Sequence, residues 1–151
     1  MYISKELIIF LISMSPLSEL RGAIPLALIV YHFPVWKAFL ISIIGNSLII
    51  IPVIFFLEKV SDWLMKKSKL FNYFFNWLFK RTRLKIEGNY KKYSKWALTI
   101  FVAIPLPMTG AWTGSVAAYL LGLNKKEALL YIGLGVLLAG LIVTVLTLVG
   151  R

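Results

Sequence analysis

The chain contains no cysteine, which excludes disulfides, thiolate metal sites and thiol catalysis. It has one histidine, His32, so a metal-binding histidine cluster is excluded as well. Carboxylates are scarce: six Asp and Glu stand against seventeen Lys and Arg. Only Glu19 falls inside an apolar stretch, so there is no second buried carboxylate to form an acid/base pair, and neither a Walker motif nor GxSxG is present. General acid/base work needs groups positioned at the reacting atoms, so an enzyme is not expected.

What the chain has in excess is apolar residue. Hydrophobic types make up 60% of it and the mean hydropathy is +0.83, far above the roughly 45–50% apolar usage of soluble domains. The stretches Leu7 to Phe33, Ala38 to Leu57, Ala97 to Leu123 and Ala128 to Val149 are each about as long as the roughly 20 residues that cross a bilayer core. The expectation is an all-α, multi-pass integral membrane protein of the cell membrane, built as a single domain over residues 1–151. Lys5 alone precedes the first apolar run, Glu6 offsets it, and no small-residue cleavage site follows before Glu19 and Arg21, so that segment is expected to be retained.

The net charge of +11 does not point to nucleic acid, because the basic residues concentrate between the apolar stretches. From Glu58 to Lys95 there are eleven Lys and Arg against Glu58, Asp62 and Glu87, and the positive-inside rule makes this connector cytoplasmic. Val60, Leu64, Phe71, Phe74 and Leu78 fall on one helical face and Asp62, Lys66, Lys69, Asn76 and Lys80 on the other. That pattern, with Trp63, Tyr73, Phe75, Trp77 and Phe79, reads as an amphipathic helix lying against anionic lipid or packed on a partner subunit. Gly88 and Asn89 supply a turn before Tyr90 to Lys95 lead back to the membrane.

Residues unsuited to a continuous transmembrane helix interrupt the first and third stretches. The first break runs from Ser15 to Pro25 and combines Pro16, Pro25, Gly22, Glu19 and Arg21; the second runs from Ile104 to Gly114 and holds Pro105, Pro107, Thr109, Gly110, Trp112, Thr113 and Gly114. Proline removes a backbone donor and disfavours helix just before it, so both breaks are expected to unwind. Unwound backbone at membrane depth must be buried in protein or line a watery cavity, which makes each break a candidate site.

The breaks read as corresponding parts of an internal repeat, with Pro16 and Pro107 about 91 positions apart. Ser18 matches Thr109, Gly22 lies near Gly114, Lys37-Ala38 matches Glu127-Ala128, and Gly45 matches Gly135. Repeat one covers about 3–57, the connector about 58–95 and repeat two about 96–150. If each broken stretch is a re-entrant hairpin, the repeats are inverted and their tips meet near the midplane; if each spans, the repeats are parallel. Loop charges tie between the two. The hairpin reading is preferred, since prolines and a charged pair would leave a lone spanning helix with unsatisfied polar groups.

An ionisable group at the centre of a membrane helix costs about 2.5–3.5 kcal/mol, so Glu19 and Arg21 need compensation. They either neutralise one another and tie down backbone carbonyls, or face a hydrated cavity with Arg21 as an anion ligand and Glu19 as a proton or cation (H+ or Na+) site. Two residues apart, they share a cavity only if the backbone there is unwound. Thr109, Thr113 and the backbone at Gly110 and Gly114 offer hydroxyls and amides to an anion, or simply allow close helix packing. Trp112 reads as a gate or an ordinary packed aromatic, with packing preferred; Asn46 and Pro52 can hydrogen-bond across helices or kink the span, and His32, near an interface, is expected to be structural.

At Glu19 to Pro25 (Glu-Leu-Arg-Gly-Ala-Ile-Pro) and Pro105 to Gly114 the sequence resembles the small multidrug export protein family, over nearly the whole chain. Met108 stands where the family pattern has glycine. In architecture the chain also resembles the DedA superfamily. That resemblance implies two opposed hairpins, a proton-sensitive carboxylate at Glu19, an anion-binding Arg21, and movement of lipids such as polyprenyl phosphates between leaflets. The expectation is a transporter or lipid flippase for an amphiphile with an anionic head group, without a cofactor and as a homodimer. The alternatives are an exporter of hydrophobic cationic drugs and a membrane scaffold that moves nothing.

Overall fold

The computed structural model describes residues 4–84, 89–106 and 109–150. All regular structure among them is helical: α1 (Lys5–Met14), α2 (Glu19–Pro25), α3 (Val35–Leu48), α4 (Ile50–Lys67), α5 (Lys69–Leu84), α6 (Asn89–Ala103), α7 (Ala111–Leu120) and α8 (Lys125–Val149). Two stretches, Val35–Lys67 and Lys125–Val149, are long and apolar enough to cross a membrane. One side of α8 turns Leu130, Leu138, Leu141, Val145 and Leu146 outward. A surface that is apolar along a whole helix is what a lipid-facing helix presents.

The order of arm, break, short helix, link and long helix occurs twice. α1, the turn at 15–18, α2 and α3 form the first set; α6, the loop at 104–110, α7 and α8 form the second. In each, the arm lies along its own long helix, α1 on α3 and α6 on α8. A glycine permits both contacts. A Cβ on Gly45 would sit 2.8 Å from the Phe10 carbonyl oxygen, and one on Gly135 would sit 2.8 Å from that of Thr99. An ion pair pins both arms: Glu6 to Lys37 at 2.6 Å in the first set, Lys95 to Glu127 in the second, with the signs exchanged. Both short helices run into a left-handed residue, His32 at φ 53° and Gly122 at φ 67°. The long helices then start after an extended Pro34 and from an Asn124–Glu127 capping box.

Lys37 beside Glu6 holds that carboxyl below the ordinary carboxylate range, so the pair supports the fold above that range and loses its effect as pH falls through the lowered value. Reversing one charge, as in Glu6→Lys, should lower the thermal midpoint in detergent. Adding Lys37→Glu should restore it, since the second set already carries that polarity.

The prolines act differently from one another. Pro52 has no N–H for the Leu48 carbonyl, and α3 gives way to α4 at Ile49, whose backbone stays in the right-handed region at φ −74° and ψ −19°. Pro25, expected in unwound chain, is instead the last residue of α2. A π-helical turn over Leu26–Val30 follows it directly, closed by Tyr31 N–H on the Leu26 carbonyl. The first break is therefore only 15–18, where Leu17 points outward, 95% exposed.

The connector is likewise not one helix. α4 carries on past Glu58 to Lys67, an extended Ser68 makes an elbow, and α5 begins at Lys69. Phe71 and Phe74 are exposed on α5, while the Leu78 side chain lies outside what the structure describes. Of the expected turn, Gly88 lies outside the described residues and Asn89 begins α6.

Candidate functional site

The two breaks meet around Glu19 and Arg21. Glu19 is the first residue of α2 and takes a left-handed φ of 48°, a conformation that costs a side-chain-bearing residue about 1–3 kcal/mol. This local turn, not general unwinding, brings the two charges together: Arg21 Nη2 lies 3.6 Å from Glu19 Oε2. Glu19 is 6% exposed. Its carboxylate lies against Gly110 at the start of α7, with the Trp112 backbone amide directed at it. The positive end of a helix is a favourable place for a buried carboxylate.

Gly110 makes that approach possible. A Cβ there would overlap the Glu19 carboxylate, 2.6 Å from its carbon, and the backbone at φ 153° and ψ −160° belongs to a region that is essentially glycine's own. In return, the Trp112 indole N–H donates to the Met14 carbonyl at the end of α1, at 2.9 Å. Trp112 therefore ties the two breaks together by a specific hydrogen bond in addition to packing.

Arg21 holds the second break in shape. Nη1 donates to the Leu106 carbonyl and Nη2 to Thr109 Oγ1 at 2.9 Å, while that hydroxyl faces the carbonyls of Ile104 (2.6 Å) and Leu106 (2.8 Å). Carbonyls freed by the loss of helix are satisfied this way within the chain. Arg21 Nε is buried and has no hydrogen-bond partner among the described residues.

The other expected residues divide. Pro25 and Pro105 join Arg21 in the wall of a cleft of about 370 Å³, completed by Ile29, Val143, Leu146, Thr147 and Gly150. Arg21 is the only ionisable side chain among these. Thr113 makes a bond within its own helix, to the Gly110 carbonyl at 3.5 Å, and Gly114 lets α7 close on Val102 of α6 and Ile132 of α8. Pro107 and Met108 lie outside the described residues. No group of three or more His, Asp or Glu able to hold a metal ion occurs among the described residues.

Sequence reasoning gave Asn46 too little weight. It is buried on α3 and lines a void beside Glu19, Arg21 and Gly110, yet neither atom of its amide has a partner among the described residues. The cross-helix hydrogen bond that the sequence allowed it is not made. The available signal was a polar amide in the middle of an otherwise apolar stretch.

The model of the family described as "Putative small multi-drug export protein" matches residues 19–142, so the match begins at Glu19, directly after the first break, and spans the second. No curated protein and no solved structure matches the chain.

Proposed function

The chain belongs to this small multi-drug export protein family, and from that premise we propose that it carries an amphiphile with an anionic, phosphate-bearing head group across the bilayer, coupled to a proton or another cation. The observation that carries the reading is the cleft at Arg21: one guanidinium in a mostly apolar wall of Pro25, Pro105, Ile29, Val143 and Leu146, where the Thr147 hydroxyl is taken up by the Val143 carbonyl. A phosphate meets a planar, permanently charged donor there, and an acyl or prenyl chain meets a mostly hydrocarbon wall.

The membrane arrangement that goes with this function has α1–α2 and α6–α7 as re-entrant hairpins of two inverted, DedA-like repeats, with α3–α4 and α8 crossing. In favour of it are the doubled element order, the paired glycines and the ion pairs in equivalent positions. The α4–α5 elbow, with Lys66, Lys67 and Lys69 around it, lies on the cytoplasmic face against anionic lipid, and the working unit is a dimer.

A second reading follows from the family's description: export of hydrophobic cations, with Glu19 as their partner. The relative access of the two charges weighs against it, since the Arg21 side chain is 20% exposed and that of Glu19 7%. An entering cation would meet the guanidinium first. Proteoliposomes loaded in parallel with a labelled polyprenyl phosphate and a fluorescent cationic drug separate the readings. Lipid movement by the wild type, lost in Arg21→Ala and in Glu19→Gln, is the expected result; drug movement that survives Arg21→Ala would replace it with the second reading.

A further inference from the structure

Behind the cleft, on the inner side of Arg21, lies the void that Glu19, Asn46 and Gly110 share. Asn46 is 1% exposed and neither its Oδ1 nor its Nδ2 has a partner among the described residues. Buried side-chain amides are ordinarily hydrogen-bonded, so an amide left wholly unsatisfied calls for an occupant. Helix packing does not demand an amide here: Val136, at the matching place on α8, lines the same void with a purely apolar side chain. Glu19 lines the same void incompletely neutralised, because Arg21 approaches it with one nitrogen at 3.6 Å and directs its hydrogen bonds to Leu106 and Thr109. The space between is too small for a water molecule. A cation stripped of water, smaller than a water molecule, is the occupant that the charge calls for.

We propose that Glu19 and Asn46 hold one small cation, a proton or a dehydrated sodium ion, and that its binding releases Arg21 toward an anion in the cleft. If the cation is a proton, an O–H bond forms at a Glu19 oxygen and donates to Asn46 Oδ1; if it is sodium, the carboxylate and the amide oxygen coordinate it together. Glu19 and Arg21, both from α2, are the only titratable groups lining the void; α3, α6, α7 and α8 present none to it among the described residues. Neutralising Glu19 removes the anion that holds one side of Arg21. Cation and anion therefore bind with positive cooperativity, equal in both directions. The cation site stands on its own geometry, while the release of Arg21 rests on the cleft being the substrate site.

Infrared difference spectra of the full chain in detergent test the site, recorded against pH in potassium buffer and then against NaCl or choline chloride at fixed pH. The expected result is one carboxylate band that responds to acid or to NaCl, is absent in Glu19→Gln, and in Asn46→Leu responds with affinity weakened about tenfold or more. Asn46→Leu keeps the volume and removes an unsatisfied amide, so it should fold; Asn46→Thr, which keeps an oxygen, should retain part of the affinity. Response to acid alone identifies the proton, and response to NaCl but not choline identifies sodium. A wild-type band that responds to neither cation, or an unchanged midpoint in both Asn46 variants, overturns the site. A short-chain phosphate amphiphile should then raise the cation affinity and Arg21→Gln should cancel that rise; no rise overturns the release of Arg21. Because the first measurement uses no substrate, its failure is distinguishable from a failure of lipid transport.

Discussion

Arg21→Gln should abolish movement of an anionic lipid and also destabilise the protein by about 2–4 kcal/mol, somewhat less than the 3–5 kcal/mol typical of breaking a fully buried ion pair. The discount reflects the fifth of the Arg21 side chain that remains exposed. The loss has two sources. Glu19 is left buried without its counter-charge, and the Leu106 carbonyl and Thr109 lose the donor that shapes the second break. The double variant Glu19→Gln, Arg21→Gln separates stability from function. It carries no uncompensated charge at this pair, so its thermal midpoint should recover the part of the loss that comes from unpaired Glu19, whereas lipid movement should stay absent because the cleft has lost its only cation among the described residues. A double variant that moves lipid at the wild-type rate would remove Arg21 from the transport site.

Gly110→Ala should damage the fold somewhat more, by about 3–5 kcal/mol, from a backbone conformation reserved for glycine and from collision of the new methyl with the Glu19 carboxylate. Glu19→Ala placed in the same chain clears the collision but not the backbone strain, so it should recover only part of the thermal midpoint. Full recovery would mean that the collision alone makes glycine necessary there. The neighbouring Gly114→Ala makes a useful contrast, since its methyl would press on the Val102 and Ile132 side chains in a helix of ordinary geometry.

The sequence displays the ingredients of this site more clearly than their wiring. Glu19 and Arg21 are legible because charge in an apolar stretch is costly, and Pro52 because a missing donor has one local consequence. Their partners are not legible: Arg21 to Thr109 and Trp112 to Met14 join residues far apart in sequence, and no local pattern encodes which carbonyl a guanidinium will reach. Pro25 was misleading for a different reason. A proline late in a short helix is tolerated when packing holds the helix in place, and Ala23, Ile24, Ala27 and Leu28 around it are buried. The connector misled because amphipathic periodicity runs through Ser68 with little change, although the backbone turns there. Asn46 shows the limit most plainly, since its importance lies in an absent partner, which only a structure exposes.

The exchanged signs of the two arm clamps also bear on how the chain assembles. A chain in which one order of elements occurs twice is exposed to mispairing: α1 could settle on α8, or the arm of one molecule on the long helix of another. Such an exchange would set Glu6 against Glu127 and Lys95 against Lys37, two like-charged contacts in place of two ion pairs. Repulsion at both wrong contacts and attraction at both right ones gives each arm an address.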